Sequence, residues 1–320
     1  MKTNKIVFAT LAIGLFWLAS CKKTDTTNHT ADPNAKQHNE DVSNTKNESD
    51  NVNTDVNNAL NNISGFSGKT DGVQALSICG ATIDSTHQHD AVKPYIVITF
   101  DGITPCGSPS RIRSGEVKVE LINGTKWSQQ GAKLKITHTD YKVIYVNLNN
   151  HYLTFNGVKY LTNVDGFDWI SYWFSGGSLT ARIKERTYDM TVKFENDSTD
   201  SWNSARLTTW SVTNYTTFAA TVNGDTTING KTIDSWGTTR FGTSFITEMI
   251  SPWKSGTTCG WWKPTEGKYM SSTSNFSVTA TFGVNEDGSS HGSGCGAYGI
   301  KLEWNYNSGQ ATGNAVIPYF

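Results

Sequence analysis

Tyr95-Ile96-Val97-Ile98-Thr99-Phe100 and Phe276-Ser277-Val278-Thr279-Ala280-Thr281-Phe282 decide the reading of the fold. Both are rich in β-branched and aromatic residues, and both end in Thr-Phe ahead of a glycine-bearing loop. Cysteines frame each of them. Cys79-Gly80 and Cys106-Gly107 flank the first, and Cys259-Gly260 and Cys295-Gly296 flank the second. Past the second cysteine of each pair comes an alternating segment, Val117-Lys118-Val119-Glu120-Leu121 or Ile300-Lys301-Leu302-Glu303-Trp304. The pattern apolar-Lys-apolar-Glu-apolar puts one face of a strand inward and the other in water. The parallel between the two stretches implies one unit used twice.

Working outward, the rest of the chain from residue 68 is a series of short alternating runs. They are separated by tight-turn pairs: Asn123-Gly124, Asn156-Gly157, Asp165-Gly166, Gly176-Gly177, Asn223-Gly224 and Asn229-Gly230. Such pairs suit hairpin turns. Tyr188, Met190, Val192 and Phe194 alternate without a break. The expectation is an all-β protein, a mainly antiparallel meander or sandwich built from two related modules, residues 68–183 and 184–320. The 11 Trp, 12 Tyr and 14 Phe agree with that. A net charge of -1 gives no electrostatic footprint for nucleic acid.

The start of the chain is a targeting segment. Lys2 and Lys5 precede an apolar run over residues 6–19, too short for a comfortable membrane span. It closes in Leu18-Ala19-Ser20-Cys21, which resembles the bacterial lipobox. The resemblance implies a lipoprotein signal peptide over 1–20, cleavage before Cys21 and lipidation of Cys21, palmitate included. The partner is then a membrane, reached through a lipid anchor. The place is the outer membrane, on its periplasmic side or at the cell surface. Residues 21–53 are rich in Asn, Asp, Thr and Lys and poor in large apolar residues, which reads as a disordered tether. Val52, Val56, Leu60 and Ile63 then recur at helical spacing and predict a short N-terminal helix within 54–67.

With Cys21 taken by lipid, four cysteines remain in an exported chain, an even number that fits two disulfides. Four cysteines allow three connectivities. The repeated unit selects Cys79–Cys106 and Cys259–Cys295.

Taken together, the lipobox, the polar tether and the two cysteine units resemble a group of uncharacterised Bacteroidota lipoproteins. The stretches that carry the likeness are Phe100-Asp101-Gly102 to Cys106, Arg113-Ser114-Gly115, Lys126-Trp127 followed by Gly131, and Gly294-Cys295-Gly296. After the last of these the chain continues Ala297-Tyr298, where such proteins often carry further Asp. The resemblance implies exposure on the envelope and brings no activity with it.

Candidate chemistry is sparse. Gly288-Ser289-Ser290-His291-Gly292 matches a nucleophile-elbow pattern but lies in a Gly/Ser loop, without the strand and helix that an elbow needs. His87, His89 and Asp90 lack a specified third metal partner. Glu116 and Glu120 share one strand face. No catalytic residue, metal or cofactor is assigned. The candidate ligand-binding residues are the aromatic groups Trp169, Tyr172 and Trp173, and Trp253, Trp261 and Trp262, which could stack on sugar rings or contact a protein partner. The leading reading is a non-catalytic binding or structural protein of the envelope with a glycan or protein ligand. The alternative is a carbohydrate-active hydrolase acting on extracellular glycan.

Overall fold

A computed structural model describes residues 33–67, 77–107, 110–146, 151–166, 179–213, 217–259, 263–292, 294–306 and 309–319. It is an all-β, antiparallel protein with an N-terminal helix. The helices are α1 (Pro33–Asn62) and α2 (Ser64–Ser67). The strands of the first half are β1 (Ala81–Asp84), β2 (Tyr95–Cys106), β3 (Arg111–Asn123), β4 (Ala132–Tyr145), β5 (His151–Asn163), β6 (Leu179–Phe194) and β7 (Thr199–Thr213). Those of the second half are β8 (Thr217–Gly224), β9 (Thr226–Ile228), β10 (Lys231–Thr238), β11 (Ser244–Gly256), β12 (Glu266–Ser272), β13 (Phe276–Val284), β14 (Gly299–Tyr306) and β15 (Ala311–Pro318).

All fifteen strands belong to one sheet, whose order follows the chain from β1 to β7 and from β10 to β15. The seam between the halves is made twice. β7 pairs with β10, and β8 pairs with both β7 and β11. The modules expected at 68–183 and 184–320 share this one sheet. Their boundary falls inside β6, which pairs with β7 on both sides of residue 183 and with β5 from residue 183 onward. The two cysteine units survive as matching strand triplets, β1-β2-β3 and β12-β13-β14. Their disulfides are Cys79–Cys106, with Cα atoms 6.0 Å apart, and Cys259–Cys295, with Cα atoms 5.0 Å apart. Both fall within normal bridging geometry. Replacing Cys79 and Cys106 by Ser is expected to lower unfolding free energy by about 3–4 kcal/mol, on the loop-entropy account. Urea titration of the oxidised chain and of the variant checks this.

α1 is the main departure from the expectation. The polar stretch 33–53, read as tether, forms the first two thirds of a 30-residue helix, and the helix expected near residue 54 is only its last part. Asn, Asp and Thr are weak helix formers, so local propensity does not make this helix; its tertiary seat does. Val42, Val52, Val56, Ala59 and Leu60 are buried together with Ile96, Ile98, Val119, Leu134, Ile136 and Leu153 from β2 to β5. Near the helix start, Ala35 packs on Phe276 and Val278 of β13. One helix thus touches strands from β2 to β13, which requires the sheet to curl around it. Its other face carries the polar outward residues of the alternation, among them Lys118, Lys133, Lys135 and Lys142.

The sheet bends at β-bulges. Asp140 in β4 has φ 46° and sits where the ladders to β3 and β5 both shift register. Opposite it, Gly115 has φ +88°, and a Cβ there would lie 2.1 Å from the Asp140 carbonyl oxygen. Only glycine fits that approach.

Candidate functional site: the helix seat and the outer face

The concentration of charge in this protein lies between α1 and the sheet. Asp41 is held by a two-point grip from Arg240, in the turn after β10: Nε to Oδ2 at 2.7 Å and Nη2 to Oδ1 at 2.6 Å. Lys46 donates to Asp234 of β10 at 2.7 Å. Glu48 Oε1 accepts from Arg111 Nη1 at 2.6 Å and from the Tyr145 hydroxyl at 3.1 Å. Asp50 takes both of its bonds from Arg206 Nη2, at 2.9 and 3.0 Å, and Asp55 pairs with Arg113. Lys159 donates to the Ser49 carbonyl at 2.9 Å, and Asn53 donates to Glu185 at 2.6 Å. The helix brings carboxylates and the sheet brings guanidinium groups, so the two surfaces are electrostatically complementary. Charge pairs of this kind are expensive to desolvate, but they penalise wrong seatings severely.

Burial shifts these groups. Asp41 is raised to about 6 by desolvation, with Arg240 pulling it back. Burial also raises Glu185, but Arg206 and Lys159 outweigh it and hold the carboxyl below its ordinary value. His38, whose ring lies against Phe245 and Phe276, is lowered to about 4 by burial and by Lys46. His138 of β4 is lowered to about 3 by burial and by Lys159.

For His138 the folded pKa lies below the unfolded value. An unfolded chain binds a proton below pH 6.5 that the folded chain does not bind. Its contribution is therefore complete above pH 6.5 and is lost as pH falls. The stability gap between wild type and His138→Gln is expected to shrink by about 2 kcal/mol between pH 7 and pH 5. Urea unfolding of both chains at the two pH values measures it, and a constant gap would contradict the assignment.

The residues singled out in the sequence lie elsewhere. Cys21, Trp169, Tyr172, Trp173, Trp261 and Trp262 fall outside the described residues. Trp253, on β11, is half-buried against the cluster of Met249, Tyr269 and Ala280, so it acts as packing rather than as an open stacking platform. His87 Nδ1 lies 3.1 Å from Asp90 Oδ2, and its ring stacks on Tyr95. Among the described residues, no group of three or more His, Cys, Asp or Glu is placed to hold a metal. Glu120 lies between Lys118 and Lys135 on the outer face, at 3.2 and 3.5 Å. In the 285–292 loop, the motif's Ser290 Oγ accepts from the Gly292 N–H at 3.3 Å while His291 Nδ1 meets Asn285 Oδ1 at 2.8 Å, so serine and histidine are not paired for nucleophilic attack.

The outer face has an order of its own. Lys118 lies over Tyr95, Lys133 over Tyr160 and Lys142 over Tyr152, with ammonium-to-ring distances of 4.0, 4.7 and 3.9 Å. Tyr188, on the neighbouring strand, meets Tyr160 edge-on and is 53% exposed. Strands β2 to β6 therefore show solvent a surface of phenol rings and ammonium groups.

The sequence pattern reached the last part of the helix and missed the charged seat of its polar first two thirds. A signal was present: Asp41, Glu48 and Asp55 are spaced by seven, as are His38, Thr45, Val52 and Ala59. Seven residues make about two helical turns, so each set lies on one stripe. No family model, no curated protein and no solved structure matches the chain. The two disulfides point to an oxidising, non-cytoplasmic compartment. Among the described residues no helix is long and apolar enough to cross a membrane.

Proposed function

We propose that this protein is an envelope lipoprotein, acylated at Cys21, that holds a β body on the outer membrane for binding or scaffolding rather than for catalysis. The observation that carries the reading is the seating of α1. The polar segment next to the anchoring cysteine is built into the body through ion pairs at Asp41, Glu48, Asp50 and Asp55. Only residues 22–32 then separate Cys21 from the helix, a length of chain that spans at most roughly 40 Å. A body held that close to its membrane suits local presentation of a surface. The tyrosine and lysine face of β2 to β6 is the surface best suited to a glycan or protein ligand. A hydrolase would need two carboxylates across an open cleft. The carboxylates with raised pKa here, Asp41, Asp50, Asp55 and Asp200, are packed at the helix–sheet interface instead.

Fatty-acid labelling tests the anchor. The wild-type chain is expected to take up labelled palmitate and to sediment with membranes, and Cys21→Ser is expected to do neither. A labelled, membrane-bound Cys21→Ser chain would overturn the anchor. Glycan arrays and pull-downs test the ligand, and they require a soluble chain that starts at Pro33, so that α1 stays in its seat.

A further inference from the structure

Beneath the middle of α1 is a cavity lined by Thr45 and Glu48 of the helix and His138 and Tyr141 of β4, with Phe155 and Trp202 among its apolar walls. It offers about 10 Å3 to the centres of water-sized spheres, the scale of a single water. Four of the lining residues carry a buried polar atom with no hydrogen-bond partner in the protein: Thr45 Oγ1, Glu48 Oε2, His138 Nδ1 and Tyr141 Oη. All four residues are at most 5% exposed. Unmet polar groups at such depth are costly and rare.

The chemistry of the four is complementary. Glu48 spends its other oxygen on Arg111 and Tyr145, which leaves Oε2 as an acceptor. The neutral His138 ring with its proton on Nε2 presents Nδ1 as a second acceptor. Tyr141 lies beside Arg113, but a guanidinium only donates, so the phenol proton still needs an acceptor. The Thr45 hydroxyl supplies a second donor. Two acceptors and two donors around a space of this size match the full valence of one water.

We propose that the cavity is a binding site for a single water molecule that donates to Glu48 Oε2 and His138 Nδ1 and accepts from Tyr141 and Thr45. That water joins the centre of α1 to β4 and completes the helix seat where side chains alone do not reach. It involves neither the anchor nor the outer face, so it stands apart from the functional reading.

A crystal structure of the wild-type chain tests it first. One density peak is expected within about 3.2 Å of at least three of the four atoms. No peak, a peak that refines as a heavier ion, or the four groups turned onto protein partners would each overturn the site. A second test is the cycle of Thr45→Val and Tyr141→Phe. If both groups serve one water, the double variant's unfolding constant is expected to be about tenfold less perturbed than the product of the singles. Independent effects would overturn the shared site.

Discussion

A chain that begins at Ser64, lacking α1, is expected not to fold. The deletion removes Val42, Val52, Val56, Ala59 and Leu60 from the main core. It also leaves Arg113, Lys159, Glu185, Arg206 and Arg240 facing an emptied trough. Removing one partner of a buried pair costs about 3–5 kcal/mol. Several such losses together exceed a total stability of about 5–15 kcal/mol. The measurement is near-UV circular dichroism and thermal unfolding of the 64–320 chain. A cooperative transition with native-like aromatic signals would show that the sheet stands without its helix.

The second large effect is at Arg240. Its guanidinium is 3% exposed, its partner Asp41 is 2% exposed, and it also bonds Glu195 at 3.0 Å and lies over the Phe194 ring. Arg240→Ala leaves the Asp41 carboxyl buried beside Gln37 alone. The expected loss is about 3–5 kcal/mol in urea unfolding at pH 7. The double variant Asp41→Leu with Arg240→Met is expected to recover most of that loss, because an apolar pair of similar volume avoids the desolvation cost. If the double variant is as unstable as the single one, the interaction with Glu195 or the contact with Phe194 is what matters.

These two experiments also mark where the sequence could be read and where it could not. The strands were legible because alternation is local: Val117 to Leu121 declares its inward face within five residues. The disulfides were legible because the same frame occurs twice. The polar stretch 33–53 of α1 was not legible as helix, since composition places Asn, Asp and Lys in water unless partners are supplied. The helix's partners are far along the chain, Arg113 at a separation of 58 and Ser271 at 233. A polar segment is buried when a distant surface offers it matching charge, and no window around the segment contains that information. The way the two halves join across residue 183 likewise rests on distant pairings. The repeat in sequence is real, but β6 spans the boundary, and β8 bridges β7 and β11 to knit the seam.

The long separations between α1 and its partners bear on the order of events when the chain emerges from the ribosome. The helix segment leaves first, yet Arg206, Asp234, Arg240 and Ser271 follow 156 to 233 residues behind their partners on it. Such distant contacts make for slow closure. A segment made of asparagine and aspartate can wait in water without aggregating, where an apolar core helix could not. The hydrophilic character that disguises α1 in the sequence is what keeps it soluble until the last strands arrive.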